Sequence, residues 1–469
     1  MTTNGLNIMT TRYLNDDALL TYLRQGYVTV QPNLPAELHR RIHDETEQVF
    51  ADGNPGNDIL PKVPAMQTVL DDPAVVGALS TILGPGYMLH AHRHCHFNPP
   101  GSDEQSSHQD SYEDDVNVRH HHTRWAMAFY YPHDVTAAMG PTTVQPGTQY
   151  YYDSETVREE PEDALCGPAG TVTIVHYDLW HRAMSNQSDQ KRYMVKFLFV
   201  RRREPTPGFK QSTLDPALIA SQRHPGLIEH QWRWHTGSEV TPASSSTPDG
   251  LNELMARLES GSEPERVDAA YALGGLGAEA VAPLIDRMKR EASDRADEED
   301  GKNPGQVTSL HAMSAVGEPA VADLVEALED ADWPVRAAAA DALGDIGLKA
   351  DLVVPALGRA LEDDADWVRR NAIDALGTYG PMAEEVLPGL KTAMLGDSFE
   401  RARHNAALTI AKVGSAAEET VSALGEALSD ENLYVGLNAV LALKQIDAPE
   451  AREILDTVPE LTGGGRYAS

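Results

Sequence analysis

The string Ala342-Leu343-Gly344-Asp345-Ile346-Gly347 recurs along the second half of the chain and decides how that half folds. Variants of it end at Gly277, Gly317, Gly380 and Gly414, and a sixth copy ends near Ile446. The steps between the five glycines are 40, 30, 33 and 34 residues. An Ala-rich amphipathic run precedes each glycine. A second run follows it, such as Val353-Val354-Pro355-Ala356-Leu357. A glycine just past an apolar-periodic run is a helix stop, because it enters the left-handed cap without a Cβ penalty. The unit is therefore helix–turn–helix. Neither helix can bury its apolar face alone, so successive units must stack into an all-α solenoid. A charged insertion, 289–304, explains the long first step and reads as a loop.

Working back toward the N-terminus, residues 236–250 are rich in Pro and Ser and read as a linker. Before them the texture changes. From 87 to 200, short runs rich in Val, Thr, Tyr and Phe alternate with turns such as Pro99-Pro100-Gly101, Pro146-Gly147 and Gly167-Pro168. That spacing predicts an antiparallel β-sandwich or barrel. Ahead of it, Asp16 or Asp17 caps a helix that stops at Gly26. Tyr27–Val30 is a short strand, and Pro35 opens a helix through Phe50. A chain of 469 residues has room for two units, taken as 1–240 and 250–460.

Charge separates the halves further. The net charge is −33; residues 1–240 carry −10 of it and residues 241–469 carry −23. Such a chain is repelled by duplex nucleic acid and by anionic membranes, so neither is expected as a partner. No stretch approaches 18 uninterrupted apolar residues, and no signal peptide is visible. Two cysteines, Cys95 and Cys166, cannot make a disulfide scaffold and are read as ordinary buried thiols, so a reducing cytoplasm is the expected compartment. Sixteen of the 18 histidines lie before residue 241. Metal or proton chemistry is therefore sought in the first half.

The string Ser107-His108-Gln109-Asp110 carries that chemistry. On an extended chain, residues i and i+2 share a face, so His108 and Asp110 can offer one nitrogen and one oxygen to a single metal. A second histidine completes a facial triad with open positions, the arrangement suited to non-haem Fe(II). His181, just past the predicted strand 171–176, is the best candidate. Arg192 opens the next strand and can point into the same barrel, where its planar fork suits a carboxylate.

These residues resemble the phytanoyl-CoA dioxygenase family of Fe(II)/2-oxoglutarate oxygenases, over residues 11–235. The family's His-x-Asp looks like His108-Gln109-Asp110, and its Gly-rich stretch looks like Gly140 to Thr148. Its distal histidine and Asn-x-Ser look like His181 and Asn186-Gln187-Ser188. Its 2-oxoglutarate arginine sits eleven residues past that histidine, as Arg192 does. The resemblance implies a double-stranded β-helix (jelly-roll) with flanking helices. It implies iron on His108, Asp110 and His181, 2-oxoglutarate on Arg192, and O2 as oxidant. The implied reaction hydroxylates an unactivated C–H bond of a metabolite, or of a carrier- or peptide-tethered substrate, releasing succinate and CO2. Desaturation, cyclisation and epoxidation stay open as outcomes. Related halogenases have a small residue where this chain has Asp110, which favours oxidation over halogenation. The repeats resemble HEAT repeats of the short bacterial kind, through Asp332-Trp333-Pro334-Val335-Arg336 and Asp366-Trp367-Val368-Arg369. They leave room for a protein partner, or for a non-catalytic scaffold role.

The remaining candidates carry blander alternatives. His90, His92, His94 and His96 alternate along one predicted strand. In the family this strand borders the site, which makes His96 a candidate for the co-substrate and His92 and His94 for the substrate; a polar face with no ligand is the alternative. Trp125 joins them as a pocket candidate, and Asn98 stands where the family often has lysine. His120-His121-His122 reads as a solvated turn. Trp333, Trp367 and the ladder Arg266, Arg336, Arg369, Arg403 read as repeat packing, the arginines pairing with acids of neighbouring repeats.

Overall fold

A computed structural model describes residues 13–111, 119–206, 209–210, 216–237, 250–298 and 302–458. Eight strands build the first half: β1 (Tyr27–Val30), β2 (Met88–Asn98), β3 (Trp125–Tyr130), β4 (Thr142–Val144), β5 (Asp163–Ala164), β6 (Val172–His176), β7 (His181–Ala183) and β8 (Arg192–Val200). They form a five-stranded sheet, β1-β6-β3-β8-β2, and a three-stranded sheet, β5-β4-β7, with every pairing antiparallel. Met127, Phe129, Val144, Val175, Met194 and Leu198 pack in one core inside the barrel. The opposite face of the large sheet, with Ala128, Tyr130, Ile174, Val195 and Phe197, shares its core with flanking helices α1 (Asp16–Gln25), α2 (Ala36–Ala51) and α3 (Pro73–Leu83). This is the expected jelly-roll with flanking helices. Asn15, one residue before the two aspartates, caps α1 by accepting from the Ala18 N–H.

A further helix, α4 (Pro225–Thr236), closes the first half. The expected linker lies mostly outside the described residues. The second half is the expected solenoid. Its Ala-rich helices are α5 (Glu263–Gly274), α6 (Thr308–Val316), α7 (Trp333–Ile346), α8 (Asp366–Tyr379), α9 (Glu400–Val413) and α10 (Leu433–Ile446), each packed on the next. The five repeat-ending glycines all have positive φ; at the sixth end Asp447 takes that conformation, with φ 52°. Arg336 pairs with Asp363, Arg369 with Asp397 and Arg403 with Asp430, each through two N–H···O bonds to the next repeat. Arg266 instead donates to the Gly261 carbonyl.

Three local expectations are corrected. The insertion is helical as far as Glu298, because Lys289 to Glu298 holds good helix formers and no glycine or proline. Cys166 is exposed, while Cys95 is buried as expected. The His120–His122 segment is not a solvated turn; it is clamped between the halves. His120 Nε2 lies 2.9 Å from Asp341 of α7, and His122 Nδ1 lies 3.1 Å from Asp345 of α7. His121 bonds Tyr271 of α5 and stacks on His311 of α6 with ring centroids 3.8 Å apart. The partners come from repeats more than 100 residues away, which a local reading of polarity does not see. α10 adds His90–Asn438 at 3.0 Å and His92–Tyr434 at 2.7 Å. The Ala-rich layer of the solenoid thus faces the barrel.

Candidate functional site

His108 and His181 are joined across the minor sheet by an isolated antiparallel bridge, each backbone N–H donating to the other's carbonyl at 3.0 Å. Their rings stand 4.6 Å apart. His108 Nδ1 lies 2.9 Å from the Ser106 carbonyl and His181 Nδ1 2.9 Å from the Leu179 carbonyl. A carbonyl can only accept, so each Nδ1 carries the proton and each Nε2 presents a lone pair. Asp110 lies where those lone pairs point. His108 Nε2 is 3.9 Å from its Oδ1, and His181 Nε2 is 3.7 Å from its Oδ2. The ligand atoms of all three lie within 4.8 Å of one another, the one such cluster among the described residues. Gln109, between them, points away and donates to the Tyr151 and Asp178 carbonyls.

Two imidazole Nε2 atoms and a carboxylate converging on one point are the donor set of a facial triad, so the residues fit an Fe(II) ion. Burial pushes His181 down to about 4, keeping it neutral and fit to ligate. Burial pushes Asp110 up, but Lys196, His181 and His108 outweigh it and hold the carboxyl well below the usual carboxylate range. The largest of these partners is Lys196, whose Nζ donates to Asp110 Oδ2 at 2.7 Å. Sequence reasoning missed Lys196. Its signal was available: it lies four residues past Arg192 on a strand of period two, on the same inward face.

Arg192 is fully buried at the start of β8. Its Nε and Nη2 donate to the Gly140 carbonyl at 3.0 and 2.9 Å, while Nη1 is buried with no partner among the described residues. A buried guanidinium N–H left unsatisfied inside a barrel is the mark of an absent acceptor, and a carboxylate fits it. Register fixes the order along β8. Arg192 pairs with Asn98 at one end, Lys196 pairs with His94 in the row of Asp110, and Val200 pairs with Trp125 at the far end.

The histidines of β2 do not form one row. Three residues of β2, 90 to 92, oppose the single Leu198 of β8, a bulge that turns His90 and His92 toward α10. His94 and His96 keep their place beside Lys196, with rings 4.8 Å apart, and burial pushes both below the usual imidazole value. Trp125 lies elsewhere, on a cavity between the far end of the barrel and the solenoid. The barrel side of that cavity is Trp125, His176, Tyr177, Asp178 and Arg124; the solenoid side includes Asp341, Arg370, Asp374, Thr378 and Lys412. Asp178 ties this wall to the row of Asp110. Arg119 donates to its Oδ1 at 2.7 Å and to the Asp110 carbonyl at 2.8 Å. The solenoid residues were also missed. Asp345, Thr378 and Lys412 each stand two positions before a repeat-ending glycine, a polar phase inside an apolar run.

Residues 22–194 match the phytanoyl-CoA dioxygenase (PhyH) family. Residues 305–377, 321–402 and 387–458 match HEAT repeats, and residues 265–289 match the PBS lyase HEAT-like repeat. No curated protein matches the chain. Among solved structures, it is similar to the non-heme alpha ketoglutarate dependent carbocyclase SnoK from nogalamycin biosynthesis, at 19% identity and TM-score 0.34, over 40% of this chain and 85% of that one. It is similar to EctD from S. alaskensis with bound Fe, at 17% identity and TM-score 0.36, over 43% and 80%. No helix among the described residues is long and apolar enough to cross a membrane.

Proposed function

From a chain that joins a phytanoyl-CoA dioxygenase domain to HEAT repeats, we propose a non-haem Fe(II)/2-oxoglutarate-dependent oxygenase that hydroxylates a C–H bond of a small molecule. The observation that carries the reading is the convergence of His108, Asp110 and His181, with the unpartnered Nη1 of the buried Arg192 on the same strand as Lys196. His108, Asp110 and His181 would hold iron, and Arg192 the far carboxylate of 2-oxoglutarate, with His96 beside it. Iron, 2-oxoglutarate and O2 together supply the oxidising power, with succinate and CO2 as by-products. The chain's own work is positional. Ser106 and Leu179 keep protons on Nδ1 of the two histidines, so that both Nε2 atoms face one point. The Gly140 carbonyl holds two arms of the Arg192 fork and aims the third. Lys196 keeps Asp110 ionised and ready until a metal replaces it. The solenoid walls the Trp125 end of the barrel. The division at 240–250 and a reducing compartment belong to the same reading.

Anaerobic titration of the full-length protein with Fe(II) and 2-oxoglutarate tests it, through the weak visible charge-transfer band of the ternary complex. The band should form with the wild type, vanish with His108→Ala, and require at least tenfold more 2-oxoglutarate with Arg192→Ala. Folded protein with saturating iron and no band would sink the reading. A pure scaffold is the weaker alternative, because the solenoid's inner layer is occupied by the protein's own barrel.

A further inference from the structure

The cavity at the Trp125 end of the barrel contains a buried cation that shares its counter-charge. Lys412, on α9, is only 4% exposed and lines that cavity. Its counter-charge is the Asp374 carboxylate, which also takes Arg370 at 3.4 Å, and burial outweighs it and pushes the ammonium below its usual value. The other cations around the cavity are engaged. Arg124 pairs with Asp345 and Glu204, His120 with Asp341, and Arg370 reaches Asp374 at 3.4 Å. A buried ammonium whose one carboxylate is shared with an arginine is incompletely neutralised, and the cost falls when an anion enters beside it.

Position gives this cation a role. Along β8 the row of Asp110 lies at Lys196, four residues from Arg192 and four from Val200, the partner of Trp125. At about 3.3 Å per residue, the row stands roughly 13 Å from either end. The Arg192 end belongs to the co-substrate. The Trp125 end is left for the substrate, and the solenoid walls it in. Resting on the oxygenase reading above, we propose that this chamber between barrel and solenoid is the substrate compartment, and that Lys412 binds an oxyanion, a carboxylate or phosphate, of a small-molecule substrate. Trp125 and Tyr177 supply the apolar side of the chamber, while the preceding repeat adds Thr378 and the shared counter-charge Asp374. A chamber closed on one side by the barrel and on the other by α7, α8 and α9 suits a free small molecule. A protein or carrier-tethered group would need the solenoid to swing away. The repeats thereby contribute to specificity, as a binding surface turned inward.

The test uses the full-length protein and two panels: small amino and hydroxy acids with their amides, and small phosphomonoesters with their alcohols. Stimulated succinate release and anaerobic calorimetry are read in parallel. Wild type should prefer the charged member of an active pair by tenfold or more in KM and in affinity. Lys412→Met should remove that preference, while Lys412→Arg should retain part of it. The Fe(II)/2-oxoglutarate band should be unchanged in both variants, which separates failure here from failure of the oxygenase reading. Lys412→Met should also raise the thermal midpoint, since it removes a buried charge that shares its carboxylate and leaves Asp374 to Arg370; a merely structural lysine would lower it. The two panels distinguish carboxylate from phosphate. A normal band with no charged compound active, or an equal preference in Lys412→Met, overturns the proposal.

Discussion

Lys196 and a metal ion at Asp110 can be told apart by experiment, because both compete for the same oxygen. Nζ holds Asp110 Oδ2 at 2.7 Å in a site where the lysine is only 6% exposed. Lys196→Met leaves that carboxylate buried beside two neutral imidazoles. The metal-free variant should lose about 2 kcal/mol of stability in thermal unfolding. Saturating Mn(II) should close the gap to wild type, because the cation takes the lysine's place. A gap that persists with metal would show that the two do not share Asp110. At this scale the sequence was most legible. His108 and Asp110 follow from a two-residue period, and Arg192 from the family resemblance, which implies an arginine eleven residues past the distal histidine. Lys412 was not legible, since nothing near it in sequence belongs to the barrel it faces.

Among the elements, the turn around Gly140 and the bulge in β2 decide how the site is held. Gly140 has φ 65°, and a Cβ there would lie 2.6 Å from the Met184 carbonyl oxygen. Its own carbonyl takes two bonds from Arg192. Gly140→Ala should therefore cost about 2 kcal/mol in denaturant unfolding. It should weaken 2-oxoglutarate binding about tenfold in calorimetry while leaving Mn(II) affinity near wild type. The strands themselves were readable from β-branched runs and Gly/Pro turns. The bulge was not. His90-Ala91-His92 has no glycine or proline to announce it, and its cause is tertiary: Asn438 and Tyr434 of α10 draw the two imidazoles out of the row. The solenoid repeats were readable because each carries its own stop signal.

For the whole molecule, the buried histidines at the junction set a pH window. Burial pushes His90 and His230 down to about 3, and their usual value is 6.5. The unfolded chain therefore takes up their protons first. Their stabilisation is present above pH 6.5 and is lost as pH falls toward 3, about 2 kcal/mol each by pH 5. His120 runs the other way. Burial lowers it, but Asp341 and Asp345 outweigh burial and push it up to about 9. Its contribution is complete below pH 6.5 and fades as pH rises through 9. Calorimetry from pH 5 to pH 10 should find the highest thermal midpoint near neutrality. His120→Asn should flatten the alkaline limb and leave the acidic one. The same junction also dictates an order of events at the ribosome. His90 emerges 348 residues ahead of its partner Asn438. At 5–20 residues per second, the barrel waits about 20–70 s with that face uncovered. A nascent chain so exposed offers that face to a chaperone until α10 is made and covers it.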